Sequence, residues 1–425
     1  MTRKKKIPTL CLNMIVKDEG GIIIKTLENL IEKLHFDYYV ICDTGSSDNT
    51  IILIKDFFEL NKIPGEIHHD EWKDFGTNRS LALARAHKKT DYVLIFDADD
   101  IILGKLKLPE VMNKDAYNLT FGSESIRYNR MCLVRNNSES IKWKYYGVLH
   151  EYISTVQDNV QFTKEDITGN YYIISGRTSS RNQDNNKYSK DAKILEDAFY
   201  KAKEENDELY HRYSYYCANS YYDANNFEKA TEWYLKTLEC NGWTEERYNA
   251  CLKLYHLYSK KNEVSTGIFY LVKSYNYSTE RVECILELVK YYTIQKEYSI
   301  ACKYYEFIQE YYENKYAMGH TNLSNKLFAN VMDYTFYLPY YMIIASYYVK
   351  DFNLGIKMYF IIFNNKTIPG QWWANNLLNN INFFIGTIKQ GPPQVKKHFY
   401  KTYLEYVSFL LENNIKVNYS LNNSN

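Results

Sequence analysis

Tyr92-Val93-Leu94-Ile95-Phe96-Asp97-Ala98-Asp99-Asp100 is an apolar run that ends abruptly in three carboxylates. A buried strand that delivers Asp-x-Asp at its carboxyl end suits a site that must hold a divalent metal ion against a nucleotide diphosphate. Upstream of it, two periodicities alternate. Ile7 to Val16 reads as a buried strand, Ile22 to Lys33 as an amphipathic helix, Tyr38 to Cys42 as a strand and Thr50 to Leu60 as a second helix. Glu66 to His68 gives a short strand, Asn78 to His87 a helix, and Tyr92 to Phe96 the strand that carries the carboxylates. This order predicts an α/β domain whose mostly parallel sheet is covered on both faces.

In such sheets ligands collect at the carboxyl ends of the strands. Polar clusters stand at three of those ends: Lys17-Asp18-Glu19-Gly20-Gly21, Asp43-Thr44-Gly45-Ser46-Ser47-Asp48-Asn49 and Asp97-Ala98-Asp99-Asp100. Each has an ordinary reading. Asp43 to Asn49 suits a turn with Asp48 as a helix N-cap, and acidic clusters are common in loops. Their coincidence at matching ends of consecutive strands favours a shared site.

The same residues resemble a known family. Cys11-Leu12-Asn13-Met14-Ile15-Val16-Lys17-Asp18-Glu19, then Val40-Ile41-Cys42-Asp43-Thr44-Gly45-Ser46-Ser47-Asp48-Asn49-Thr50, then Trp72-Lys73-Asp74-Phe75-Gly76-Thr77-Asn78-Arg79, then Asp97-Ala98-Asp99 are similar to the ordered motifs of family 2 glycosyltransferases with the GT-A fold. The likeness extends to the branch whose catalytic domain is followed by tetratricopeptide-like helices. It implies that Asp43 accepts a hydrogen bond from the nucleotide base, that Glu19 and Asp97 face the base and ribose, and that Asp99 binds Mn2+ or Mg2+ across the two phosphates. Arg79, in the Asn78-Arg79 pair at a helix start, would add a cationic hydrogen bond to the nucleotide, a task suited to guanidinium. A solvated helix charge is its ordinary alternative.

Further on, Ser125 to Asn136 leads to Tyr145-Tyr146-Gly147-Val148-Leu149-His150-Glu151, which resembles the branch's strand ending in Arg-Asn followed by Gly-x-x-His-Glu. Family 2 enzymes generally invert the anomeric centre, which requires one general base on the acceptor. Glu151 is the first candidate and His150 the second; a structural salt bridge and a core or metal-shell histidine are the alternatives. The chain departs from the family where a His-x-Gly segment is expected: Tyr171-Tyr172-Ile173-Ile174-Ser175-Gly176-Arg177-Thr178-Ser179-Ser180-Arg181 has no histidine. Arg177 and Arg181 are then candidates for direct contact with the diphosphate, with solvated charges near a domain junction as their ordinary alternative.

From about Lys190 the strand pattern gives way to helical periodicity with little proline or glycine. The division predicted is a transferase domain over 1–181, a polar linker over 182–189 and an all-α repeat domain over 190–425. Small and aromatic positions recur at a spacing of about 34 residues. They fall at Ala218, Tyr221, Ala230 and Tyr234; at Tyr258, Gly267 and Leu271; at Tyr292, Ala301 and Tyr305; and at Ala345, Gly355 and Tyr359. Such an array offers a concave face for an extended peptide or a glycan. The 44 tyrosines of 425 residues suggest a carbohydrate platform, but their company of Asn, Lys and Ile is explained as well by an AT-rich coding sequence.

A net charge of +1 argues against nucleic acid as the main partner. Tyr334 to Val349 lacks charge but contains Pro339 and is short for a membrane span, so it reads as a buried helix. Arg3-Lys4-Lys5-Lys6 reads as a solvated tail, and the apolar stretch after it is too soon broken by Asn13 for a signal peptide. Eight scattered cysteines with no Cys-x-x-Cys pair predict reduced thiols and a cytoplasmic setting. The expectation is a metal-dependent inverting transferase that takes a nucleotide sugar, UDP-linked, and glycosylates a protein, peptide or glycan. Two alternatives stand beside it. One is an inactive transferase domain serving a helical scaffold. The other is a sugar nucleotidyltransferase, for which Lys17 to Gly21 is a poor version of the required Gly-rich basic loop.

Overall fold

The computed structural model describes residues 7–123, 127–157, 160–176, 184–316, 323 and 325–417. The chain forms two compact units, 1–243 and 244–425. The first holds a nine-stranded mixed sheet and three helices that follow it; the second is all-α. Arg177, Arg181 and the Lys-rich stretch before Ile7 lie outside the described residues.

The alternation read from the sequence is present. Strand β1 (Leu10–Val16) is followed by α1 (Ile23–Lys33), β2 (Tyr38–Asp43), α2 (Thr50–Leu60), β3 (Gly65–His69), α3 (Phe75–Ala86) and β4 (Tyr92–Ile95). Then come β5 (Ile101–Gly104), β6 (Ala116–Gly122), β7 (Arg127–Arg135), β8 (Trp143–Tyr146), β9 (Tyr152–Thr155), β10 (Lys164–Asp166) and β11 (Tyr171–Ile174). Along the sheet the order is β3-β2-β1-β4-β7-β6-β11-β5, with β10 beside β6; β8 and β9 form a separate hairpin. Strand β1 pairs in parallel with β2 and β4, whereas β7 enters antiparallel against β4. That arrangement places the carboxyl ends of β1, β2 and β4 side by side and carries β7 past them.

Burial of both faces explains why these strands are apolar throughout. Leu12 and Met14 of β1 point into a core shared with Leu27, Phe58 and Leu94. Cys11, one step out of phase, faces the opposite core with Val40, Ala82, Leu83 and Val93. The one polar residue inside β1, Asn13, is satisfied by donating to the carbonyls of Val40 (3.2 Å) and Ala82 (3.0 Å), tying sheet to α3.

Helix α3 starts earlier than its apolar pattern suggests. Asp74 sits in extended backbone as its N-cap and accepts from the Thr77 amide and hydroxyl, both at 2.7 Å, so cap chemistry sets the start. Arg79 therefore occupies the second turn, not the helix start.

Three helices complete this unit: α4 (Lys187–Glu204), α5 (Leu209–Asp223) and α6 (Phe227–Glu239). The second unit runs through α7 (Thr244–Lys260), α8 (Val264–Tyr275), α9 (Glu283–Ile294), α10 (Tyr298–Glu306) and α11 (Gln309–Tyr316). After a π-helical turn at Asp333–Tyr337 it continues with α12 (Leu338–Tyr348), α13 (Phe352–Asn365), α14 (Gln371–Asn380), α15 (Ile385–Gln390) and α16 (Pro393–Glu412).

The repeat is physical. Tyr258 and Tyr270 stack at 5.6 Å, and Tyr292 and Tyr304, each 34 residues further on, stack at 5.4 Å. Gly267 and Ala301 keep the matching small positions; a Cβ on Gly267 would stand 3.1 Å from the Tyr255 carbonyl, so the helices approach closely there. Leu338, Pro339, Met342, Ile343 and Ala345 bury the α12 segment, as its lack of charge predicts. Among the described residues no helix is long and apolar enough to cross a membrane.

Candidate active site

Two loops interlock beyond β1 and β2. Asp18, in the left-handed region at φ 54°, accepts from the Ser47 amide (2.7 Å) while its own amide donates to Ser46 Oγ (3.0 Å). The Glu19 amide donates to Thr50 Oγ1 (2.8 Å) and the Gly20 amide to Asp48 Oδ2 (2.9 Å). A Cβ on Gly20 would lie 2.2 Å from Asn49 Oδ1 and 2.7 Å from Asp48 Oδ2, so these side chains close tightly over the glycine. Asp48 also accepts from the Thr50 amide at 3.0 Å; the N-cap position of α2 itself belongs to Asn49. The polar stretch after β2 is thus more than a turn, since it fixes the loop that presents Glu19.

Asp43, buried at the end of β2, accepts from the Ser46 amide (2.9 Å) through Oδ1 and faces His69 Nδ1 (3.0 Å) through Oδ2. Glu19 is different. Its Oε2 is buried without a hydrogen bond, and burial together with the carboxylates of Asp99, Asp48, Asp18 and Asp97 pushes its pKa up to about 7. Thr26 of α1 donates to the Ala98 carbonyl at 2.7 Å and anchors the Asp97-Ala98-Asp99 turn against the first helix.

Arg79 is the hub of the site. Only 7% exposed, it reaches Asp97 Oδ1 with Nη2 (2.6 Å) and Glu151 Oε1 with Nε (2.8 Å). Tyr145 of β8 lies beneath its guanidinium, 5.7 Å from the ring centroid. Arg130 of β7 approaches the other oxygen of Asp97 at 3.3 Å. Burial alone would raise the Asp97 pKa, but the two arginines prevail and hold it down at about 2. Asp100, 2% exposed, goes the other way: burial and the neighbouring Asp97 raise it to about 8. Neighbouring carboxylates are thereby split into one held ionised and one held protonated near neutral pH.

Of the residues picked out in the sequence, Glu19, Asp97 and Asp99 gather at the strand ends, and Arg79 joins Asp97 to Glu151. Arg79 is no solvated helix charge. Asn78 stands apart: fully buried, it accepts from the Lys73 amide (2.9 Å) and donates to the Glu71 carbonyl (3.0 Å), bracing the loop before α3. His150 is exposed, and its ring stacks on Tyr216 of α5 with centroids 4.2 Å apart. After β11 the chain passes tightly over the acidic turn, since a Cβ on Gly176 would fall 2.1 Å from the Asp99 carbonyl oxygen. Among the described residues no three His, Cys, Asp or Glu side chains converge as a preformed metal cage.

Sequence reasoning missed Arg130 and Tyr145 as members of the site. The available signal was three arginines, Arg127, Arg130 and Arg135, within one strand beside a sheet that is otherwise apolar. The pairing of β7 with β4 turns one of them toward Asp97.

A mostly parallel α/β sheet with acidic groups at the carboxyl ends of β1, β2 and β4, followed by helical repeats, defines a GT-A domain joined to a tetratricopeptide-like array. Residues 11–139 match the sequence model of Glycosyl transferase family 2. Among solved structures, S. aureus TarS 1-349 in complex with UDP-GlcNAc is similar at 11% identity and TM-score 0.32, over 63% of this chain and 91% of that one. Mannosyltransferase PcManGT from Pyrobaculum calidifontis in complex with GDP-Man and Mn2+ is similar at 12% identity and TM-score 0.33, over 64% and 88%. A tetratricopeptide repeat protein from Parabacteroides merdae is similar at 9% identity and TM-score 0.29, over 54% and 94%.

Proposed function

We propose that this protein is a metal-dependent inverting glycosyltransferase that takes a UDP-linked sugar and passes it to a hydroxyl of a protein, peptide or glycan. The observation that carries the reading is the Arg79 bridge. One buried guanidinium holds both a carboxylate of the Asp-x-Asp turn, Asp97, and the carboxylate of the Gly-x-x-His-Glu segment, Glu151. Donor-facing and acceptor-facing groups are therefore kept in register by a single side chain.

The residues fit a hard divalent cation. Among the described residues the side chains gathered at this turn are carboxylates; both oxygens of Asp97 are engaged by arginine, and Glu19 Oε2 is buried and unpartnered beside Asp99. Asp99 would hold Mn2+ or Mg2+, with the diphosphate supplying further ligands. When bound, the ion offsets negative charge that builds on the departing nucleoside diphosphate. Asp43 and Glu19 line the base and ribose side, Asn78 braces the loop that precedes Arg79, and Arg79 orients Asp97.

Glu151, held by the Arg79 Nε–H at 2.8 Å, takes the proton from the acceptor hydroxyl as its oxygen attacks the anomeric carbon in line with the leaving phosphate. His150 lies next to it on the same turn and orients the acceptor. All eight cysteines are unpaired, which supports a reducing, cytoplasmic setting.

The test is a donor screen. Purified protein is incubated with UDP-glucose, UDP-galactose, UDP-N-acetylglucosamine or GDP-mannose and Mn2+, and release of nucleoside diphosphate is followed. Release from one donor, reduced about a hundredfold or more in Asp99→Ala, supports the reading. Silence with every donor, and no donor-dependent rise in Tm, overturns it and leaves the scaffold.

A further inference from the structure

The Gly147-to-Glu151 turn is held from two sides. On one side stands α3: the Phe75 amide donates to the Val148 carbonyl (3.3 Å), and a Cβ on Gly76 would lie 2.1 Å from the Gly147 carbonyl oxygen. This is the helix that carries Arg79 and so grips Glu151. On the other side stands α5. Arg212 donates to the His150 carbonyl through Nε (3.0 Å) and Nη2 (2.8 Å), and the Val148 amide donates to the Tyr213 hydroxyl (3.2 Å). Tyr216, one turn further along, carries the stacked His150 ring at 4.2 Å, and the Arg212 guanidinium lies 4.5 Å from the Tyr216 centroid.

The turn does not hold its shape unaided. His150 takes the left-handed backbone conformation at φ 54°, and Gly147 stands at φ 99°. A non-glycine residue in that region costs on the order of 1 kcal/mol or more, so surrounding contacts must fix it. The two Arg212 hydrogen bonds fall on the carbonyl of that very residue. They define the peptide plane joining His150 to Glu151, and hence the direction in which the Glu151 side chain leaves the backbone.

We propose that Arg212 and Tyr213 are positioning residues for the transfer reaction: helix α5 clamps the strained His150 peptide and thereby aims the Glu151 carboxylate at the acceptor hydroxyl. The inference rests on Glu151 being the base. It gives the first helices after the sheet a part in the chemistry, beyond any part in recognising an acceptor. Loss of the clamp leaves Arg79, Asp97 and Asp99 in place. It therefore affects the step that needs the base and spares donor binding.

The experiment compares wild type, Arg212→Ala, Arg212→Lys and Tyr213→Phe in two measurements. The first is steady-state nucleoside diphosphate release from UDP-glucose, UDP-galactose, UDP-N-acetylglucosamine and GDP-mannose. The second is hydrogen exchange of the amides from Gly147 to Tyr152. Expected for Arg212→Ala are a kcat lower by about ten- to a hundredfold with donor KM within about twofold, and faster exchange confined to this turn. Arg212→Lys, which keeps a single donor nitrogen in place of the two-nitrogen fork, recovers part of kcat; Tyr213→Phe loses less. An unchanged kcat, or a donor KM that rises in step with a general loss of protection, overturns the clamp. If none of the four sugars is turned over by the wild type, or if Glu151→Gln is as active, the transferase or base reading fails on its own. Hydrogen exchange then decides the clamp, and unaltered exchange in Arg212→Ala rejects it.

Discussion

Replacing Arg79 by methionine, which is close in volume and uncharged, tests the hub of the site. Two carboxylates would lose their partner at once: Glu151, whose side chain is 9% exposed, and Asp97, left with Arg130 alone at 3.3 Å. Removing one member of a buried ion pair costs about 3–5 kcal/mol, because the remaining charge stays desolvated. A separate route gives a compatible figure. Asp97 is held at about 2 against an ordinary 3.8, and that difference corresponds to about 2 kcal/mol for this one carboxylate.

The sign follows from linkage. A carboxylate whose folded pKa is depressed adds stability above its unfolded value, so the Asp97 contribution is present above pH 3.8 and is lost as the pH falls toward 2. In Arg79→Met the Asp97 carboxylate loses the larger of the two charges that hold its pKa down, so the deficit is largest near neutrality and shrinks on acidification. For a unit of this size, 3–5 kcal/mol lowers Tm by roughly 6–20 °C. Calorimetry at pH 7 and pH 5 reads both effects. Adding Glu151→Gln to Arg79→Met removes one of the stranded charges and should recover part of the loss. A single variant that melts within about 2 °C of wild type at pH 7, with no recovery in the double variant, refutes the hub.

Other expectations follow from the same geometry. Glu19 is raised to about 7, so ionising it opposes folding: wild-type Tm should fall as pH climbs from 4.5 to 7, and Glu19→Gln should lack that slope and melt higher at pH 8 but not at pH 4. Gly176→Ala forces a Cβ against the Asp99 carbonyl and should lower nucleoside diphosphate release about tenfold or more, a loss that added Mn2+ does not restore. In the helical unit, Arg281 is fully buried between Glu245 (2.6 Å) and Glu283 (2.7 Å), 4.4 Å from the Tyr248 ring. Arg281→Leu should cost about 3–5 kcal/mol, read as a lower midpoint of the far-ultraviolet circular dichroism melt.

Several of the residues that the fold brings together were legible in the chain because they lie in short local motifs. Asp97 and Asp99 follow an apolar run, Asp43 ends β2 and Glu19 lies in the loop just after β1, strands whose hydrophobicity announces burial on both faces. The helix-start reading of Arg79 went astray by one turn, because the Asp74 cap bonds Thr77 and begins the helix before its apolar stripe does. Asn78 looked like part of a binding pair, yet its amide braces the backbone of Glu71 and Lys73, and only the path of that loop decides this.

What the sequence determined by itself are quantities carried in short windows: the change of period from strand to helix, the polar strand ends and the 34-residue recurrence of Tyr258 with Tyr292 and of Tyr270 with Tyr304. Side-chain periodicity is a property of backbone geometry, so it survives without knowledge of neighbours. Tertiary structure alone decided that Arg79 meets Glu151 72 positions away, that β7 runs antiparallel to β4 and brings Arg130 to Asp97, and that α5 holds the His150 peptide. Those pairings depend on which surfaces are buried together. Burial and charged neighbours together set a carboxylate's pKa: Arg79 and Arg130 hold buried Asp97 below the ordinary carboxylate range, whereas burial and Asp97 push Asp100, three residues on, above it.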